Sequence, residues 1–321
     1  MTVYEIAELA GVSPGTVSKV VNGRPGISEE TRSKVLRIMY KNDLSLPGKP
    51  EESSSLVGIL VSDISNLYFS KGAWLVQEVL TSNGYCPVIL DTGQSLESKL
   101  AAMRMLAQQN VRGVVMAGST FGIAEVLEAV PLCLPGIPVV MVNGFSSLSQ
   151  VSWVRADIRE GVKAAVSYLY KTGRRSFAYL STFDTPMSRE KIAGFNEALA
   201  QNGLGGQLLR APDDTFKSGF DAVLCADQPF DALIASTDLV AAGAMAALSA
   251  QGRAVPGDAA VFGMDNTEYA KLTSPRLSTI DGSLDAMSEE AAWMLLSMIR
   301  CPGKRMEKLF PCPLIVRESA K

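Results

Sequence analysis

The 321-residue chain contains no histidine, which removes the commonest general base, proton shuttle and metal ligand. Its five cysteines (Cys86, Cys133, Cys225, Cys301 and Cys312) are odd in number, far apart and never spaced Cys-x-x-Cys. Neither a disulfide framework nor a zinc site is expected, and the five read as buried thiols. No apolar run reaches the roughly 18–20 residues of a membrane span, and residues 1–10 carry Glu5 and Glu8 where a secretory leader would be basic and then apolar. The expected compartment is the cytoplasm, with no membrane partner. Also missing are Gly-x-Gly-x-x-Gly, a phosphate loop ending in Gly-Lys-Ser/Thr, Gly-x-Ser-x-Gly and any metal-ligand cluster. An enzyme is therefore not expected, and neither is a cofactor or a metal.

What the chain does have is short apolar runs, 47% hydrophobic against 20% charged residues, enough to bury sizeable cores. Its length exceeds what one core usually supports, so a small piece and larger lobes are expected. From residue 57 onward, strand-like runs at 57–61, 88–90, 113–116, 139–142, 177–180, 232–235 and 260–262 alternate with helical periodicity. The helical stretches are 72–82, 96–109, 161–171, 188–201, 240–251 and 285–299. Strands apolar on both faces alternating with helices imply parallel, doubly wound sheets, and the length after residue 55 suits two lobes.

The first 46 residues read differently. Thr2 and Glu5 have capping-box spacing, and Ile6, Leu9 and Ala10 form an apolar stripe that Gly11 ends. Ser13 is an N-cap with Pro14 at the first helical position; Val17, Val20 and Val21 give that helix its buried face. Ser28 opens a third helix that buries Val35, Leu36 and Met39. Two helices joined by Gly11-Val12-Ser13 and braced by a third make a helix-turn-helix, whose second helix enters the DNA major groove by its N-terminal residues. Pro14 and Gly15 hold that position, with Lys19 one turn on, while Ser13, Thr16, Ser18 and Asn22 are short polar groups suited to phosphate oxygens. The net charge of −3 looks wrong for a DNA binder, yet the headpiece alone has six basic and five acidic residues, a balance of +1.

The run Val12-Ser13-Pro14-Gly15-Thr16-Val17-Ser18-Lys19-Val20-Val21-Asn22 resembles the headpiece of the LacI/GalR family of bacterial regulators. Further matches follow in order at Asp63–Phe69, Ser236–Gly243, Val255–Asp258, Gly263–Asn266 and Val316–Ser319. The resemblance implies an α/β chain with an all-α helix-turn-helix headpiece (1–46), a linker (47–55) and a two-lobed, doubly wound, periplasmic-binding-protein-like effector domain (56–321). The lobes are expected at about 56–153 with 282–310, and 154–281 with 311–321. The implied function is a transcription repressor that binds a double-stranded DNA operator as a homodimer or tetramer, switched by a sugar or sugar acid; the alternative is a sugar sensor that has lost operator binding.

Two departures from the family pattern matter. Lys19 stands where arginine is usual and lacks the planar fork that pairs bidentately with guanine. The hinge region reads Pro47-Gly48-Lys49-Pro50-Glu51-Glu52, which opposes both a helix and approach to phosphates, so either Leu44 or Leu46 serves as the wedge or operator affinity is low. The effector contacts that the resemblance implies are Tyr68, Phe69, Asn143, Arg189, Lys191, Thr237, Asp238 and Asp265, most of them just after strands. If both Arg189 and Lys191 face the ligand, an acidic sugar is favoured over a neutral one. A family aromatic near Asp214 is displaced here to Phe216.

Overall fold

The computed structural model describes residues 2–21, 24, 26–41, 55–301 and 305–321; the expected linker, apart from Ser55, lies outside them, as does Asn22. Three helices open the chain: α1 (Val3–Ala10), α2 (Pro14–Val21) and α3 (Glu29–Lys41). Thr2 and Glu5 cap α1 reciprocally, and Gly11 ends it at φ +64°, a left-handed conformation that costs glycine nothing. Ser13 Oγ accepts from Thr16 N at 3.1 Å, capping α2 over its missing donor at Pro14. Ile6, Ala7, Ala10, Val17, Val20, Val35, Leu36 and Met39 form the buried face of the three helices. Leu9, expected in that stripe, is exposed, and Ala7 is buried instead. Val21 is only half-buried.

The rest alternates strand and helix. The order is β1 (Leu56–Val61), α4 (Leu67–Ser82), β2 (Cys86–Asp91), α5 (Leu96–Gln108), β3 (Val114–Ala117), α6 (Ala124–Cys133), β4 (Val139–Val142) and β5 (Val151–Ala156). It continues α7 (Ile158–Lys171), β6 (Phe177–Ser181), α8 (Pro186–Gln201), β7 (Gly206–Arg210), α9 (Phe216–Leu224), β8 (Ala232–Ala235), α10 (Asp238–Ala250), β9 (Ala260–Met264), α11 (Glu268–Leu272) and β10 (Ser278–Ile280). It closes with α12 (Leu284–Arg300), β11 (Glu307–Phe310) and β12 (Leu314–Ile315). Two compact units result, Met1–Val154 with Asp285–Lys308 and Arg155–Leu284 with Leu309–Lys321.

The sheets run β11-β5-β4-β3-β1-β2 and β12-β10-β9-β8-β6-β7. Each places its first strand between its second and third, so the chain reverses its direction of winding beside β1 in one sheet and beside β6 in the other. Those reversals open crevices at the C-terminal strand ends, where open α/β sheets receive ligands. In the second unit Tyr179, Phe195, Phe262 and Met264 share one core on the α7–α8 side of the sheet, and Leu180, Leu233, Val240 and Ala244 another on the α9–α10 side.

Three of the helices and five of the strands escape a reading by apolar runs. β10 is the clearest case: Ser278 and Thr279 are wholly buried, and their hydroxyls are satisfied by Arg317 O and by Asp238. β7 is a mostly exposed edge strand with Gly206 and Gln207 at its start. The thiols also correct the sequence reading, since only Cys133 is buried. Cys86 and Cys225 are exposed, because one opens an edge strand and the other closes a surface helix, and all five are free. No helix among the described residues is long and apolar enough to cross a membrane.

Candidate functional site

The outward face of α2 carries the residues expected to read the groove. Ser13, Gly15, Ser18 and Lys19 are exposed and Pro14 and Thr16 half-buried, while Val17 and Val20 are buried and hold the helix to the headpiece core. Hydrogen bonding between the Ser13 and Thr16 hydroxyls at 2.9 Å fixes the N-terminal turn that would meet base edges. Lys19 presents its ammonium without a structural task. Lys19→Ala is therefore expected to weaken operator binding roughly tenfold and to flatten its salt dependence, with an unchanged thermal midpoint. Fluorescence anisotropy at several salt concentrations reads both.

In the first unit the strand ends are lined by Ser62, Thr120, Phe69 and Asn143. Ser62 Oγ and Thr120 Oγ1 lie 2.7 Å apart. Asn66 caps α4 by accepting from Tyr68 N at 2.9 Å, which places both aromatics in the first helical turn. Tyr68 is buried and meets Phe69 edge-on, ring centroids 5.5 Å apart. Phe69 in turn lies over Gly118 after β3: a Cβ there would stand 3.0 Å from the Phe69 ring, so glycine makes room for it. Phe69 is thus presented at the strand ends and Tyr68 is its support. Asn143 follows β4 in the left-handed region at φ +60°.

The second unit carries charged residues at its own strand ends. Thr185 and Ser188 cap α8 reciprocally at 2.8 and 3.2 Å. Gly194 then lets α8 press onto α7, where any Cβ would stand 2.5 Å from Arg159 O. That packing sets the height of Lys191, whose Nζ donates to Ser236 O at 3.1 Å, just past the end of β8. Asp265 ends β9 at φ +97°, a costly conformation for a non-glycine residue. Burial pushes its carboxyl up to about 7, opposed by Lys191 and reinforced by Asp238, Asp214 and Asp281.

Three of the predicted contacts are engaged within the protein. Arg189, one position off the inward face of α8, is exposed and grips Asp184 through two bonds of 2.8 and 3.0 Å. Asp238 is 1% exposed and accepts from Thr267 N, Thr267 Oγ1 and Thr279 Oγ1 at 2.6–2.9 Å, bracing α10 to α11 and β10. Burial raises its pKa to about 6 against those hydrogen bonds. Thr237 caps α10, accepting from Val240 N at 3.3 Å.

Sequence reasoning passed over Tyr179 and Ser181. Both are fully buried, Tyr179 in the middle of β6 and Ser181 at its C-terminal end, and neither hydroxyl has a hydrogen-bond partner. Their signal was available: two hydroxyls at alternate positions of the otherwise apolar run Phe-Ala-Tyr-Leu-Ser face one side of the sheet.

Comparison with known proteins places these features. Residues 2–43 match the family model for bacterial regulatory proteins of the lacI family, and residues 166–320 match the periplasmic-binding-protein-like domain. The chain is 31% identical over 333 residues to the HTH-type transcriptional regulator MalR of Streptomyces coelicolor, covering 98% of this chain and 95% of that one. It is 30% identical over 337 residues to the HTH-type transcriptional repressor PurR of Vibrio campbellii, covering 100% and 98%. Among solved structures, the transcriptional regulator CelR in complex with cellobiose superposes with a TM-score of 0.73 at 29% identity, covering 99% of each chain. The lac repressor dimer bound to operator shares the fold, with a TM-score of 0.71 at 24% identity over 100% of this chain and 99% of that one. A groove-reading headpiece followed by two doubly wound units, matched over its whole length by such regulators, makes this chain a member of the LacI family and a DNA-binding transcription regulator.

Proposed function

We propose that the chain is a cytoplasmic repressor that binds its operator as a homodimer and changes operator affinity when a small, hydroxyl-rich effector of the sugar class binds at the strand ends. The observation that carries this reading is the cluster of Lys191, Ser236 and Asp265 at the C-terminal ends of adjacent strands, on the same chain as the exposed α2 face. A carboxylate and an ammonium together accept from and donate to a polyol. The cellobiose held by the related regulator CelR is consistent with that class. Dimerisation follows from mechanism, because one headpiece contacts too few base pairs and a two-fold protein matches a two-fold operator.

A thermal-shift screen of sugars tests the reading. A ligand at about 100 times its Kd raises the midpoint by about 5–10 °C for a unit of this size. Lys191→Ala and Asp265→Ala are each expected to abolish that rise. A hit whose effect survives both substitutions overturns the site.

A further inference from the structure

We infer that Glu290 is a positioning residue for operator binding: by gripping Arg37 it holds the headpiece against the body of the first unit and leaves α2 open to DNA. The clasp serves the operator-binding end of the reading above and needs nothing of the effector site. Glu290 lies on the second turn of α12 and is buried. Its Oε2 nevertheless meets two cations, the half-buried Arg37 of α3 and Lys308 of β11, whose Nζ stands 2.5 Å away. The base of this clasp is fixed. β11 pairs with β5 at the sheet edge, Met306 N donates to Ser152 Oγ at 2.9 Å and Trp153 N to Met306 O at 3.0 Å. On its other flank α12 buries Met287, Ala291 and Leu295. Arg37 is the headpiece's share of the contact.

Charge, more than apolar packing, makes this contact. A cleft of about 940 Å³ lies between the headpiece and the body of the unit, with Leu9, Ile27 and Ile38 on one side and Met294 and Met306 on the other. Close apolar packing would leave no such space. Every headpiece residue lining the cleft comes from α1, from α3 or from Ile27 and Ser28 just before α3, and Ser13, Gly15, Ser18 and Lys19 stay exposed. A headpiece held this way therefore still presents its groove-reading face. Glu290 is what keeps two like charges together: burial and then the charge of Arg37 hold the Lys308 pKa below its usual value. Without the carboxylate the two cations repel, and the headpiece loses its hold. A headpiece already in place gives up less freedom on binding DNA than one that must first be ordered, so the clasp should register as operator affinity.

The test uses the full chain, a labelled duplex from the control region of its own gene and a random duplex of equal length, with fluorescence anisotropy read at several salt concentrations. Electrostatics alone predicts that Glu290→Gln, which removes a negative charge, tightens binding to a polyanion. The clasp predicts the reverse. Glu290→Gln and Arg37→Gln are each expected to weaken operator binding about 5–20-fold while the thermal midpoint is kept. The double variant should be no weaker than the weaker single one, because both substitutions remove the same contact. Arg37→Gln should also leave the slope of log affinity against log salt unchanged, whereas loss of a phosphate contact would flatten it by about 1. Unchanged or tighter operator binding by Glu290→Gln with a native midpoint overturns the inference, and so do losses that multiply in the double variant. If Glu290→Gln does not fold, Arg37→Gln decides: weakened binding with an unchanged slope upholds the clasp, and a flattened slope or wild-type affinity overturns it. A wild-type chain that prefers the control-region duplex no more than random DNA takes down operator binding itself, and the role of the clasp with it.

Discussion

Gly243→Val is expected to unfold the second unit, or to lower its thermal midpoint by roughly 6–12 °C, more than any other single change considered. Helices α9 and α10 cross where Gly219 and Gly243 interleave. A Cβ at Gly243 would stand 2.0 Å from Phe216 O and 2.9 Å from Phe220 N, and one at Gly219 would stand 2.2 Å from Val240 O. These neighbours are backbone atoms, which cannot rotate aside as a side-chain end could. Relief requires separating α10 from α9 across a core that buries Val240, Ala241, Ala244 and Val223. Overpacking of this kind costs about 3 kcal/mol, at the upper end of what buried small-to-large changes show. Calorimetry should show a lowered or missing transition, and the control Gly205→Ala, in open space just before β7, should cost far less. A wild-type midpoint for Gly243→Val would mean that the two helices do not pack this closely.

Asp265→Asn should make the protein more stable at pH 8 and deaf to its effector. Folding raises the Asp265 pKa to about 7, so between the unfolded value near 4 and that folded value the native state holds a proton that the unfolded state has released. The stability Asp265 contributes is fully present below pH 4 and is lost as pH rises through 7. Asparagine keeps the shape and carries no charge to bury. Its gain at pH 8 should be on the order of 1–3 kcal/mol after allowing for partial exposure, shrinking to nothing near pH 4. Asp238, pushed up to about 6, adds a slope of the same sign. A residue that destabilises the empty protein and sits in a costly left-handed conformation is accounted for by what it binds. Thermal melts of both proteins from pH 4 to 8, with and without a confirmed ligand, separate the two effects.

Much of this architecture was legible in the amino-acid order, and the exceptions are physical. The headpiece helices could be placed because caps and stops are local: Thr2, Ser13 and Gly11 each act within a turn of their own position. Strands buried on both faces, such as β4 and β8, announce themselves as apolar runs. β10 does not, because its Ser278 and Thr279 are buried polar residues whose partners lie on the C-terminal segment and on α10, and no local pattern encodes a contact 39 or 41 residues away. The site divides the same way. That Lys191 and Asp265 end up near one another follows from strand ends meeting at one edge of a doubly wound sheet. That Arg189 turns to Asp184 while Lys191 turns to Ser236 depends on where the inward face of α8 falls, which Gly194 packing on α7 decides. The orphaned hydroxyls of Tyr179 and Ser181 become visible only once their surroundings are known to offer no partner.

Regulation requires the two ends of the chain to be coupled, and coupling between binding sites is reciprocal. The most direct measurement is the affinity of the full chain for a labelled duplex from the control region of its own gene, with and without the ligand found by thermal shift, paired with the ligand's affinity in the presence and absence of that duplex. The account predicts specific retention at low salt, a change in operator affinity of about 5–150-fold with ligand, and the same factor in the reciprocal titration. Tight ligand binding with no effect on the duplex, or no duplex preferred over random DNA at low salt, would contradict it.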